Sequence, residues 1–190
     1  MRHDNKIMID IERALKLAAA EGAKAGVEAY KKEITNASKE QKDRRLRNTR
    51  LLLENYRDFK THAKEAVFEA EQITDEDVID LFTIMEDKNE KIIAESIKRS
   101  NKKTRLIVKH IDAMVQAYKE RCKSSSRDDV QRRYYVIYYM YTGPLEYTAE
   151  EIGEKMGVSK RTIYRDLDYA VEALSVLFFG IDGAKTHRNP

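Results

Sequence analysis

Lys160, Arg161, Tyr164 and Arg165 recur at a spacing that places them on one side of a helix, with Asp168 sharing that side. Arginine and lysine in such a row reach phosphate oxygens or the guanine edges exposed in the major groove of duplex DNA. Ser159, immediately before them, is a helix-capping residue type, and Thr162 completes the first turn. The amides of a helix N-terminus bind phosphate, which adds to the same chemistry. Ile163, Leu167, Val171 and Leu174 fall on the opposite face, so one side of this helix is expected to pack and the other to face DNA.

The residues upstream are those needed to hold such a helix. Thr148 followed by Glu151 has the capping-box arrangement and starts a short helix at Ala149. Ile152 and Met156 are its inward residues, and Gly153 permits a close helix crossing. Gly157 supplies the tight turn, where a positive φ is easiest for glycine. Val158 is expected to plug the angle between the two helices. The DNA-contacting set expected from the sequence is therefore Thr148, Ser159, Lys160, Arg161, Thr162, Tyr164 and Arg165.

Other chemistries find little support. Cys122 is the single cysteine, which excludes an internal disulfide and a cysteine zinc cluster and fits a reducing cytoplasm. His3, His62, His110 and His187 are scattered without hydrolytic or metal-binding spacing, and no P-loop or dinucleotide fingerprint occurs. The expectation is that the protein is not an enzyme and uses neither a cofactor nor a metal. The run Leu174 to Phe179 is interrupted by Ser175 and is far shorter than the ~20 apolar residues of a membrane span. No secretory leader is evident at the N-terminus.

With 36% charged residues, 7 Gly, 2 Pro and no Trp in 190 residues, the composition favours an all-α fold. The expected architecture is an N-terminal long-helix bundle or hairpin followed by a C-terminal helix-turn-helix domain. Ile7 to Ile34 reads as one helix, in which Gly22 and Gly26 either allow close approach of a neighbour or, the preferred reading, mark a bend, and Lys39 to Glu71 as a second. A third begins at Thr74 and uses Val78, Leu81, Phe82, Met85, Ile92, Ile93 and Ile97. A fourth helix, or a kinked continuation of the third, carries Leu106, Ile107, His110, Ile111, Met114, Val115 and Tyr118. The small polar stretch Lys123 to Asp129 reads as a linker, giving domains at 1–126 and 127–183 and a tail at 184–190. Tyr134, Tyr135, Tyr138, Tyr139 and Tyr141 offer either a base-stacking surface or a packed scaffold helix, and helical spacing favours the core.

Charge is nearly balanced at +3, from 36 basic and 33 acidic residues, so its distribution matters more than its sum. Acids flanking the helix-turn-helix leave it near neutral, and its affinity for DNA then calls for a second basic surface or a second copy. Arg44, Arg45, Arg47 and Arg50 offer one such surface. Lys98, Arg99, Lys102, Lys103, Arg105 and Lys109 offer another, with no acid between Lys98 and Lys109. The N-terminal helices also suggest a homodimer, because palindromic operators pair two helix-turn-helix units.

The run from Thr148 through Asp168 resembles the final helix-turn-helix of bacterial sigma factors, their region 4, and that of ArpU-type phage transcriptional regulators. With the Arg132-Arg133-Tyr134 helix before it and the closing run Leu177 to Gly183, the resemblance is closest to regulators of phages or prophages of Gram-positive bacteria. It implies sequence-specific binding of double-stranded DNA in the cytoplasm, control of late or packaging genes, and Ser159, Lys160, Arg161, Tyr164 and Arg165 on the DNA-facing helix. The sequence departs from the sigma pattern at Asp166, where an apolar residue is usual and Leu167 takes the core role. Residues 1 to 126 also lack a promoter-melting segment. The rival readings are a helical interaction module that binds RNA polymerase or another phage protein and, more remotely, a DNA recombinase.

Overall fold

The computed structural model describes residues 2–65, 75–85 and 89–180, and among them all regular structure is helical. The elements are α1 (Arg2–Glu54), α2 (Tyr56–Glu65), α3 (Asp75–Ile84), α4 (Glu90–Lys98), α5 (Asn101–Lys123), α6 (Asp128–Ile137), α7 (Ala149–Met156) and α8 (Lys160–Phe179). A π-helical turn, Tyr138–Thr142, closes α6. Contacts divide the chain into two compact units, Met1–Lys42 and Asp43–Pro190.

The first unit is the leading part of α1, a helix of 53 residues. The helix runs through Gly22 and Gly26 without a break, and the separation expected between Ile34 and Lys39 does not occur. No residue there has the positive φ or the proline ring that would interrupt the hydrogen-bond ladder, and the Thr35 hydroxyl donates back to the Lys31 carbonyl (2.8 Å) without breaking it. The described side chains from Leu15 to Gln41 are all exposed.

The second unit begins with the last turns of α1, which are enclosed on several sides. Leu51, Leu52 and Leu53 are all buried, a run that cannot face one neighbour only. The helix expected to continue from Lys39 to Glu71 is interrupted at Asn55. Both the backbone N–H and the side-chain amide of Asn55 donate to the Leu51 carbonyl, at 3.1 and 2.9 Å, and α2 then begins at Tyr56. Val67, Ala70 and the expected cap Thr74 lie outside the described residues.

The expected third helix is two helices. Asn89 caps α4 by accepting hydrogen bonds from the Lys91 and Ile92 amides, while the buried Asn48 amide donates to the Met85 carbonyl (2.6 Å) just past the end of α3. In α4, Ile93 and Ile97 are buried, but Ile92 is 48% exposed, which corrects its expected place in the core. Ser100 caps α5, and the buried Thr104 hydroxyl faces the Ile97 and Ser100 carbonyls.

α5 is the central element, in contact with α2, α3, α4, α6 and α8. Its inward residues are Thr104, Ile107, Val108, Ile111, Val115, Tyr118 and Cys122. The segment after it, residues 124–127, is therefore a connection inside the second compact unit, which spans the expected boundary at 126/127.

Arg57 fastens α2 to the end of α6. Its guanidinium donates to the carbonyls of Met140 (3.1 Å), Gly143 (3.2 Å), Leu145 (3.1 Å) and, at the limit, Tyr139 (3.5 Å), and it lies 3.4 Å from the Glu146 carboxylate. Met140 lies in the closing turn and Gly143 and Leu145 in the loop after it, while the Tyr139 carbonyl also accepts from the Tyr147 amide. Arginine's fixed fork of donors suits several carbonyls at once. Replacing Arg57 with Ala is expected to cost about 2 kcal/mol, with Arg57→Lys recovering only part of it, because a charged donor to several carbonyls, most of them part-buried, is lost. Urea unfolding followed by circular dichroism measures both.

Candidate nucleic-acid interface

α7 opens with the capping box that its sequence specifies. The Glu151 amide donates to the Thr148 hydroxyl oxygen (3.3 Å), and the Thr148 amide donates to the Glu151 carboxylate (2.7 Å). That contact holds the Glu151 carboxyl below the ordinary carboxylate range. The helix ends at Gly157, whose φ of +67° places it in the left-handed region.

The next residues double back tightly. The Val158 amide donates to the Gly153 carbonyl (2.9 Å), and a Cβ on Gly153 would stand 2.7 Å from the Val158 carbonyl oxygen. Glycine at 153 is thus required by the close approach of the turn itself. Ser159 caps α8 by accepting from the Thr162 amide (3.2 Å), and the two hydroxyls lie 3.0 Å apart. Thr148, Ser159 and Thr162 are therefore all engaged in building the two helix starts.

Spacing sorted α8 correctly for its apolar side. Ile163, Leu167, Val171 and Leu174 are buried, together with Ala170 and Phe178. In α7, Ile152 is fully buried and Met156 is partly buried against the core, as is Val158 in the turn after it. On the other side of α8, Lys160, Arg161, Tyr164, Arg165 and Asp168 are exposed. Arg161, Thr162, Tyr164, Arg165 and Asp168 frame one open depression along this face.

The charges on this face are unequally engaged. Lys160 is paired with Glu150 of α7 and lies 5.8 Å over the Tyr164 ring. Glu150 draws the Lys160 pKa up, and Lys160 holds the Glu150 carboxyl down. Asp168 accepts a hydrogen bond from Arg50, 2.6 Å away near the end of α1. Arg161 and Arg165 make no ion pair among the described residues and remain open to a ligand.

Leu167 takes the core role that the sigma pattern gives to position 166, yet Asp166 is buried beside it, 1% exposed. Its carboxylate accepts from Arg132 Nε of α6 at 2.6 Å, with the Arg132 side chain 18% exposed. The other carboxylate oxygen, Oδ1, is buried without a hydrogen-bond partner. This pair, Arg50 beside Asp168, and Arg57 are the three polar features that sequence reasoning missed. Only the first left a signal, since an acid in a row otherwise apolar needs a cation opposite.

The two basic clusters expected to grip DNA are distributed differently. Arg44 and Arg45 are half-buried on α1 with no ion pair among the described residues, and Arg47 lies 3.8 Å from Glu90. Lys98 donates to Asp58 and Lys103 to Asp80, each at 2.8 Å, while Arg99 reaches Glu95 at 3.8 Å. Lys102 and Arg105 are half-buried and Lys109 is exposed. The acids missing between Lys98 and Lys109 are thus supplied in part by α2 and α3.

The tyrosines of α6 and its closing π-helical turn neither form an open platform nor vanish into the core. Tyr134 is buried, Tyr135 is 41% exposed, and Tyr138, Tyr139 and Tyr141 are partly buried. Tyr139 and Tyr147 meet edge to face at 5.4 Å, with Lys155 about 5 Å from both rings. Among the described residues no cluster of His, Cys, Asp or Glu could hold a metal, and no helix is long and apolar enough to cross a membrane. The end of the closing run, Ile181 to Gly183, the tail 184–190 and His187 lie outside the described residues.

No family model, no curated protein and no solved structure matches the chain.

Removing Asp166 would leave Arg132 charged and largely buried, whereas Asp168 has a side chain 68% exposed. Asp166→Ala is expected to destabilise the protein by about 3 kcal/mol. Asp168→Ala should stay within roughly 0.5 kcal/mol of the parent. Chemical denaturation of the two variants side by side measures the contrast.

Proposed function

We propose that this chain binds duplex DNA sequence-specifically through the outward face of α8 and regulates transcription of phage or prophage genes. The observation that carries this reading is the pair Arg161 and Arg165. Both are exposed and without ion pairs among the described residues, one helical turn apart on the second helix of a capped helix-turn-helix. Each has the reach and fork geometry for a phosphate or for the O6 and N7 atoms of guanine. Ser159 and Thr162 order the first turn of α8, where free amides favour an approaching phosphate.

α8 is held rigidly for that task, because its apolar side packs on α5, α6 and α7. The resemblance of residues 148–168 to region 4 of sigma factors and to ArpU-type regulators supports the same reading. A second reading is favoured by Lys160 and Asp168, each of which already has a partner of opposite charge. A face so nearly neutral also suits a protein surface, and RNA polymerase or another phage protein would then be the partner.

Gel-shift titration on bound genomic fragments separates the two. Arg161→Ala with Arg165→Ala is expected to weaken DNA binding by more than about tenfold, since each good contact contributes ~1–3 kcal/mol. Unchanged binding would sink the recognition-helix reading. Glu150→Gln releases Lys160 and is expected to strengthen DNA binding modestly. It should also steepen the dependence of log affinity on log salt by roughly 0.9, the slope of one added phosphate contact.

A further inference from the structure

The exposed arc of α8 has a ridge and two shoulders. On a regular helix Arg161, Arg165 and Asp168 fall within about 60° of one another, and all three are exposed. Tyr164 lies on one side of this ridge and Tyr169 on the other, each 48% exposed. Each tyrosine has a cation over its ring. Lys160 stands 5.8 Å over Tyr164, and Arg133 of α6 stands 4.5 Å over Tyr169 while paired with Asp129. Glu172 continues the arc of the ridge but is half-buried.

A helix laid in the major groove turns its ridge to the base edges and its shoulders to the phosphates of the two strands. Here the shoulders carry the cations held over tyrosine, and the ridge carries two arginines that make no ion pair among the described residues. The ridge also carries Asp168, with a side chain 68% exposed. Phosphates repel a carboxylate, so a ridge serving the DNA backbone alone gains nothing from it.

Base edges offer distinct partners to the two kinds of group. Guanine alone presents two acceptors side by side, O6 and N7, and the fork of an arginine meets both. A carboxylate accepts only, and the donors in the major groove are the amines of cytosine and adenine. The adenine amine stands beside N7, an acceptor that repels a carboxylate, which leaves cytosine N4. Arg50 engages Oδ1 of Asp168 at 2.6 Å and steadies it, and a carboxylate has lone pairs for a further donor. Positions 161 to 168 span ~10 Å of helix axis, about three base-pair steps. We infer that α8 selects a G·C-rich element of about four base pairs, in which Arg161 and Arg165 each take a guanine and Asp168 takes a cytosine. The inference rests on the DNA-binding reading and names the base pairs that the same site prefers.

Selection of duplexes from a random pool by the full chain, followed by gel-shift titration of the selected duplex, tests it. Two guanines and a cytosine within about four base pairs are expected in every strongly bound duplex. Replacing both guanines with 7-deazaguanine removes N7 and should weaken binding more than about tenfold, whereas inosine keeps O6 and N7 and should stay within about twofold of the parent duplex. Asp168→Asn sets a donor beside an acceptor, the pattern that suits adenine, so it should admit adenine where the parent chain takes only cytosine. Asp168 is exposed, and the thermal transition of the variant serves as a folding control. A chain that binds no duplex would overturn this inference together with the DNA-binding reading. Bound duplexes without a G·C preference, indifference to 7-deazaguanine, or an Asp168→Asn chain that keeps the cytosine preference would overturn the inference alone.

Discussion

The burial of one side of α8 is the constraint on which the rest of the second unit depends. Ile163, Leu167, Val171, Leu174 and Phe178 are all within the core, against α5, α6 and α7. Each such side chain contributes ~1.5–3 kcal/mol when removed from water, whereas an exposed ion pair contributes ~0–1. Packing therefore decides which way α8 faces, and the charges of its outer side follow from that choice. A rotation of α8 that improved its ion pairs would expose at least one of these residues, and the loss would exceed the gain.

The polar groups trapped by this packing explain why the helix-turn-helix is continuous with the helices before it. Arg57 on α2 closes the carbonyls after α6, Asn48 on α1 satisfies the Met85 carbonyl after α3, and Arg132 on α6 holds Asp166 on α8. Each bridges residues far apart in sequence, and each would leave a buried donor or acceptor unmet if its element were withdrawn. The same logic bears on α5, which touches α2, α3 and α4 as well as α6 and α8. The residues beyond Ser124 thus rest on a scaffold assembled from both sides of a polar connection that reads, in isolation, as a linker.

What the sequence revealed was what short-range chemistry decides. The capping box at Thr148, the turn at Gly157, the cap at Ser159 and the apolar row of α8 are each written within a few neighbouring residues, and each is found where its pattern places it. The interruptions at Asn55 and Asn89 were illegible for the opposite reason. Either asparagine can sit on an exposed helix face, and only the surrounding packing selects the hydrogen bonds that break the helix there. At Gly22 and Gly26 the helix runs on, because glycine weakens a helix without obliging it to break. The pairing of Lys98, Lys103 and Arg50 with acids on other helices could not be read from their own neighbourhoods at all.

The near-neutral face of α8 looks at first like an obstacle to binding a polyanion. The exposure of its ion pairs argues otherwise. Arg50 and Asp168 have side chains 40 and 68% exposed, and Lys160 and Glu150 are each about half exposed. Pairs so open to water hold their partners weakly. A phosphate is a stronger and better-placed acceptor for either cation than a solvated carboxylate, and it brings the release of its own counterions. Under the proposed function, Glu150 and Asp168 keep Lys160 and Arg50 extended along the face until DNA replaces them. The cost of that exchange is small beside the contacts of Arg161 and Arg165, so the acids moderate affinity for unspecific duplex more than they oppose a matched site.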